Sequence, residues 1–335
     1  MNKKICFYAR IPDKNLFNLI DFYSNDIRIL KEIGYEVHLC NNYRKIPNCD
    51  IYFIWWWSSG IIPLIKAKLM GKKTITIGNI HYSDPSDQGY KSRPYYIKKF
   101  IQYSLKNSDI QLATSKIEFE DLRLFEPKNP ILLYHAIDKA KYYFKENKRE
   151  KIILTISRLL KLNIERKKIL EILFAFKIVL ESYPDYKLYI VGRKEDDGFE
   201  LVNSKIEELG IRENIFLMGT ISDEEKISLY HRSKIYVQPT DYEGFGLAIA
   251  ESMSCGTPVV TSPNGAVEEI TGGLAVYVNP NSPEEIAAGI IKLIEDDKLY
   301  ETLSKKGSER IQKEFSYKSR KDSIKNILNN LTEKN

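Results

Sequence analysis

The chain of 335 residues predicts an α/β protein built as two doubly wound domains. Three observations carry that expectation. Short apolar strands alternate with helical patterns in both halves. The length exceeds what one ordinary hydrophobic core accommodates and suits two domains of about 150 residues. Between the halves, residues 138–150 are polar, heavily charged and poor in branched apolar side chains, which marks a hinge.

In the first half, strands are expected at 5–9, 37–40, 51–55, 74–77, 110–113 and 131–133, each rich in Ile, Val, Tyr, Phe or Trp. In the second, 152–156, 188–191, 215–218, 235–237 and 259–261 repeat the theme. No fixed-period repeat or low-complexity tract interrupts them. Trp55, Trp56 and Trp57, every tryptophan of the chain, close the third strand at its carboxyl end, where open α/β sheets bind ligands. Strand alternation prevents all three from facing one core. They either stack on a sugar or contact a lipid, or lie buried under neighbouring helices.

With 43% hydrophobic and 29% charged residues, the composition is that of an ordinary globular protein. No apolar run approaches a membrane span, and Met1-Asn-Lys-Lys leads into a strand rather than a signal peptide, so a cytoplasmic location is expected. Cys6, Cys40, Cys49 and Cys255 have neither CxxC spacing nor a His at metal spacing and read as reduced structural thiols. The net charge of +6 is unevenly divided: residues 1–140 hold 21 Lys/Arg against 14 Asp/Glu, and the remainder 30 against 31. Lys91, Arg93, Lys98 and Lys99 interleave with Tyr95, Tyr96 and Phe100, a composition suited to an anionic membrane surface, an anionic acceptor or a solvated face. No nucleic-acid motif accompanies the charge, and no nucleic-acid partner is expected.

The stretch from Val237 to Val260 reads as strand, glycine turn, short helix and strand. Gly244 and Gly246 permit a tight turn, and residues 247–255 form a helix of small side chains stopped by Gly256 and Pro258. Such a turn aims free N–H groups, at the positive end of a helix dipole, at an anion above the sheet. Glu243 lies in the loop and Glu251 about one turn into the helix, so two carboxylates flank the anion position and suit hydroxyl recognition.

Glu243-Gly244-Phe245-Gly246-Leu247, followed by Glu251 and by Ser252-Met253-Ser254-Cys255-Gly256-Thr257-Pro258, resembles the signature of the retaining glycosyltransferases of family 4, which have the GT-B fold. The resemblance implies two Rossmann-like domains facing across a cleft: an acceptor-binding domain at 1–140 and a sugar-nucleotide domain at 150–315. A terminal helix at about 316–335 would cross back to the first. It implies that Glu251 binds the nucleotide ribose, that Glu243 faces the donor sugar, and that the amides around Phe245, Gly246 and Leu247 serve the diphosphate. Ser157-Arg158-Leu159 and Lys167 match the family's paired cations for the departing diphosphate. Lys168 stands where the family has glycine and the preceding segment is long, so Arg166 or Lys168 remain alternatives to Lys167. Gly192 and the Met218-Gly219-Thr220 turn match positions beside the nucleotide, and His81 matches a histidine near the donor sugar or acceptor.

No Asp-x-Asp metal motif is present and no cofactor is expected; a UDP- or GDP-sugar is the implied substrate, with a saccharide or lipid-linked acceptor. The family's amino-terminal glycine pair is replaced by Ala9-Arg10-Ile11-Pro12, which leaves Arg10 to reach the phosphate from that side. Cell-surface polysaccharide or glycolipid synthesis at the inner face of a membrane is the implied setting. Two rivals share the nucleotide site: a nucleotide-sugar epimerase or hydrolase, and a non-catalytic nucleotide-sugar-binding protein. A Rossmann oxidoreductase is disfavoured because no GxGxxG follows the first strand.

Overall fold

The computed structural model describes residues 3–85, 89–195 and 197–333. The chain divides into two compact units, Met1–Ala136 with Phe315–Asn335, and Ile137–Glu314. The polar stretch 138–150 thus counts with the second unit.

In the first unit six parallel strands, β1 (Lys4–Tyr8), β2 (Glu36–Cys40), β3 (Ile51–Trp55), β4 (Lys73–Ile77), β5 (Ile110–Ala113) and β6 (Pro130–Leu132), lie in the order β2-β1-β3-β4-β5-β6. Every residue of β3 is buried, which its continuous run Ile-Tyr-Phe-Ile-Trp requires of a parallel strand covered on both faces. The second unit repeats the plan with β7 (Glu150–Ile156), β8 (Lys187–Val191), β9 (Ile215–Gly219), β10 (Ser233–Gln238), β11 (Val259–Thr261) and β12 (Val276–Tyr277), in the order β12-β11-β10-β7-β8-β9. The expected pair of doubly wound sheets is present. The two-residue edge strand β12 had no sequence signal, because two residues are too few to set a period of two.

Strand order reverses beside β1 in the first sheet and between β7 and β10 in the second, so a crevice opens at the carboxyl ends of these strands. The last helix, Tyr317–Glu333, packs on the first unit, burying Ile324, Ile327, Leu328 and Leu331 in its core. Arg320 anchors that helix through two bonds to the buried Asp26 carboxylate, 2.6 and 2.9 Å, and donates to the carbonyls of Leu133 and Tyr134. No helix among the described residues is long and apolar enough to cross a membrane.

Candidate active site

At the carboxyl end of β10 the chain turns through residues 239–246 and enters the helix Leu247–Ser254. Gly246 makes that turn: its φ of +92° lies in the left-handed region, while a Cβ there would meet nothing nearer than 3.5 Å. The requirement for glycine at 246 is therefore conformational. Gly244 and Phe245 are buried with it and Leu247, half-buried, opens the helix.

Glu243 is the centre of an ionic knot. One carboxylate oxygen, Oε1, receives Gln238 Nε2 at 3.0 Å, Arg166 Nη1 at 3.2 Å and Lys167 Nζ at 3.2 Å. Its backbone carbonyl accepts the amide of Ala266 at 2.8 Å, fixing the loop to the segment after β11. Burial lowers the pKa of Lys167, while the Glu243 carboxylate opposes that shift. The neighbouring Lys168 instead pairs with Asp241 at 2.7 Å.

The backbone of Lys168 is left-handed. Its φ of +52° is a conformation for which glycine is the cheapest residue, and glycine is what the signature carries after its lysine. Lys168 thus has the backbone that favours glycine, and Lys167 is the residue before it. Residues 160–166, which lengthen this segment, form the short helix Lys161–Arg166, and its last residue supplies the second cation on Glu243.

Glu251 is buried one turn into the helix, accepting Tyr230 Oη at 2.9 Å and lying 3.3 Å from Lys226 Nζ. Burial, reinforced by that carboxylate, pushes the Tyr230 pKa well up, so the phenol stays protonated and donates. Tyr230 and Lys226 stand four residues apart on the helix Asp223–Arg232, a spacing that puts both on one face. Neither was singled out in the sequence; that spacing opposite a conspicuous carboxylate was the available signal.

Arg158 follows β7 and makes a different ion pair: its guanidinium forks onto Glu195, with Nε 3.1 Å from Oε1, and remains 63% exposed. Of the two cations expected to act together, then, Lys167 is seated on Glu243 and Arg158 on Glu195. Gly192 ends β8 against the same loop. A Cβ at 192 would lie 1.7 Å from the Ser157 carbonyl oxygen, so only glycine fits. Its amide donates to the Gly219 carbonyl at 2.9 Å, which brings those two glycines together, with Thr220 exposed beyond them.

His81 belongs to the first unit, in the loop after β4. Its backbone is left-handed, φ +52°, and its ring stands between two buried carboxylates: Nε2 is 3.4 Å from Glu118 Oε1 and Nδ1 3.8 Å from Asp84 Oδ2. Glu118 Oε2 also accepts the amides of Ile80 (2.6 Å) and His81 (3.2 Å). Glu118 is the third residue of the helix Lys116–Arg123, whose start is capped by the Ser115 side chain accepting the Glu118 amide, so the helix start places this carboxylate at the histidine loop. Burial raises its pKa, against the pull of His81. Trp56, with φ +73°, is a further left-handed residue, directly after β3; it donates its indole N–H to Tyr23 Oη at 2.6 Å. Trp55 and Trp57 are buried and Trp56 half-buried, so packing accounts for two of the three. Among the described residues no group of three His, Cys, Asp or Glu is set to hold a metal, and all four cysteines are buried and form no disulfide.

The profile of the glycosyl transferases group 1 matches residues 123–310, more than half of the chain. The chain belongs to that family. Similar proteins include the O-antigen chain mannosyltransferase B of Escherichia coli, 35% identical over 46% of this chain and 40% of the relative. The N-acetyl-alpha-D-glucosaminyl L-malate synthase of Bacillus anthracis is 23% identical over 87% of this chain and 78% of that protein. The chain spans about two fifths or less of the length of the first curated relatives it matches. Among solved structures, a sucrose-phosphate synthase from Thermosynechococcus elongatus superposes with a TM-score of 0.83 at 18% identity, covering all of both chains. The Anabaena protein HepE, solved with UDP-glucose, gives 0.78 at 17% identity over 98% of this chain and all of that one. Together with the two six-stranded parallel sheets, these likenesses make the fold GT-B.

Proposed function

We propose that this group 1 chain moves a sugar from a nucleotide-sugar donor to a saccharide or lipid-linked acceptor, with retention at the anomeric carbon. The convergence of Arg166 and Lys167 on Glu243, beside the Gly246 turn and one helical turn before Glu251, carries the reading. It sets two cations from the end of the helix Lys161–Arg166 against one loop and helix that supply an amino terminus and two carboxylates. That set suits a diphosphate flanked by sugar and ribose hydroxyls. HepE, of similar fold, was solved with UDP-glucose, and a UDP- or GDP-sugar is the donor class we assign.

In this reading Glu251, already positioned by Tyr230 and Lys226, accepts the ribose hydroxyls. The amides of Phe245, Gly246 and Leu247 face the diphosphate, Glu243 faces the donor sugar, and Gly192, Gly219 and Thr220 flank the base. As the bond between the anomeric carbon and the diphosphate oxygen breaks, negative charge grows on the diphosphate. Lys167 and Arg158 stabilise it there, each exchanging a carboxylate, Glu243 or Glu195, for phosphate oxygens. The acceptor oxygen bonds to the same face of the sugar and its proton passes to the departing diphosphate. His81, oriented by Glu118 and Asp84, serves the acceptor or the donor sugar.

The test is a panel of UDP- and GDP-sugars incubated with and without candidate saccharide and lipid-linked acceptors. Transfer to an acceptor supports the reading. Turnover without acceptor indicates the epimerase or hydrolase rival, and binding alone the non-catalytic one. A donor at 100 times its Kd should add about 2.7 kcal/mol of stability, so a thermal-shift panel identifies it first.

A further inference from the structure

Two helices of the first unit carry apolar side chains on the face turned to solvent. The helix Ile61–Leu69 buries Pro63, Leu64 and Ala67, and at 100° per residue the opposite face falls on Ile62, Ile65 and Leu69. These are 43%, 40% and 84% exposed, with Met70 beside them. The helix Tyr95–Asn107 packs alongside and buries Ile101, Ser104 and Leu105. It leaves Tyr95 and Tyr96 at 74% and 60% exposure, with Phe100 and Tyr103 also exposed. Among the described residues, half of the exposed large apolar side chains lie on these two helices and Met70. A single exposed Leu needs no explanation, but two adjacent stripes mark an interaction surface.

The segment that carries that face is mostly cationic, although Lys68, Lys72 and Lys106 pair with Asp109, Asp50 and Glu126 outside it. Residues 51–108 hold nine Lys and Arg against two acidic residues, Asp84 and Asp87, and neither helix contains a carboxylate. Asp84 is buried. Lys99 lies 5.2 Å over the Tyr95 ring and Lys91 4.6 Å over Tyr82, so the cations interleave with the aromatics. A second copy docked about a two-fold axis would set this cationic face against itself, which opposes self-association. Apolar stripes that enter the acyl boundary, tyrosines at headgroup depth and lysines that reach the phosphates match an anionic bilayer.

We propose that the solvent face of the helices Ile61–Leu69 and Tyr95–Asn107 seats the protein on an anionic lipid surface, with Leu69 and Ile65 entering the apolar boundary and Lys91, Arg93, Lys98 and Lys99 held by headgroups. Its purpose, bringing a lipid-linked acceptor to the first unit, rests on the transfer reading; the docking itself does not.

The experiment is co-sedimentation of the full chain with vesicles of phosphatidylcholine alone or with one third phosphatidylglycerol, across a salt series. Binding should favour the anionic vesicles and fade with salt, since the attraction is screened within about 8 Å at physiological ionic strength. Lys98→Glu with Lys99→Glu should lower partitioning at least tenfold, at about 1 kcal/mol per basic residue near an anionic surface. Ile65→Glu with Leu69→Glu should abolish it, with thermal unfolding measured to show that both variants remain folded. Absence of binding to anionic vesicles, or equal and salt-independent binding to both, overturns the proposal. So does a change of oligomeric state in Ile65→Glu/Leu69→Glu with unaltered sedimentation, which would make the face a contact between copies. Nucleotide-sugar stabilisation, measured without lipid, should be the same in all variants; its absence from the parent chain would count against the transfer reading and leave the docking result standing.

Discussion

At the scale of single residues the site is a set of carboxylates held by cations, and each can be tested separately. Glu251 is buried, and its charge-assisted bonds are the ones that ribose hydroxyls would share. Glu251→Ala should weaken nucleoside diphosphate binding by about 1.5–3 kcal/mol, measured by calorimetry; unchanged affinity would remove Glu251 from the ribose position. Lys167 and Lys168 are adjacent but oppositely employed, one on Glu243 and the other on Asp241. Lys167→Ala should lower kcat by about a hundredfold or more, the scale of losing one preorganised charge at a developing anion, while Lys168→Ala should leave kcat nearly unchanged. The reverse order would reassign the register. His135 gives a pH test: stacked parallel to Trp55 with centroids 6.0 Å apart, it is buried, and burial, reinforced by Arg320, holds its pKa well below the usual value near 6.5. Below that pH the unfolded chain takes a proton that the folded chain refuses, so this group costs stability as pH falls, at up to about 1.4 kcal/mol per pH unit. Asp26 and Glu118, whose pKa values burial raises, act with the opposite sign, so the comparison must be made against His135→Gln. Parent and variant unfolding curves should converge between pH 7 and 5; parallel curves would show that His135 does not titrate this way.

At the scale of elements, two glycines constrain the loops at the second sheet's carboxyl edge for different reasons. Gly246 needs a left-handed backbone but has room for a Cβ, whereas Gly192 needs the room because the Ser157 carbonyl lies against it. Gly246→Ala should cost about 1–2 kcal/mol of backbone strain. Gly192→Ala must part the ends of β7 and β8 and should cost more, beyond the roughly 1–3 kcal/mol typical of overpacking. Chemical denaturation of the two variants gives the order, and equal losses would show that the β7–β8 edge relaxes freely. The strands other than β12 were legible because each is a short apolar run bounded by turn residues. β6 begins one residue earlier than its pattern suggested, at Pro130, because register against Gln111 rather than hydrophobicity sets that edge.

At the scale of the whole molecule, the terminal helix belongs to the unit from which it is most distant in sequence. Arg320 and Asp26 form a buried pair 294 residues apart, and the pair is satisfied only because the Leu133 and Tyr134 carbonyls take the remaining guanidinium hydrogens. Arg320→Ala would leave Asp26 buried without its cation and should destabilise the first unit by about 3–5 kcal/mol. Hydrogen exchange should localise that loss to β1–β6 and the helix Tyr317–Glu333 rather than to β7–β12; uniform loss would show that the units unfold together.

The sequence by itself determined the α/β class, eleven of the twelve strands, and the glycine turn with its two glutamates, because these are local: period, turn chemistry and spacing act within a few residues. Only the tertiary structure decided which cations meet which carboxylates. Lys167 and Arg166 reach Glu243 across 76 and 77 residues of chain, Arg158 finds Glu195, and Glu118 meets His81. Charged side chains a few residues apart are interchangeable on paper, whereas a left-handed residue such as Lys168 sends neighbouring lysines to different partners. A contact between strand ends is fixed by sheet order, which no local pattern encodes.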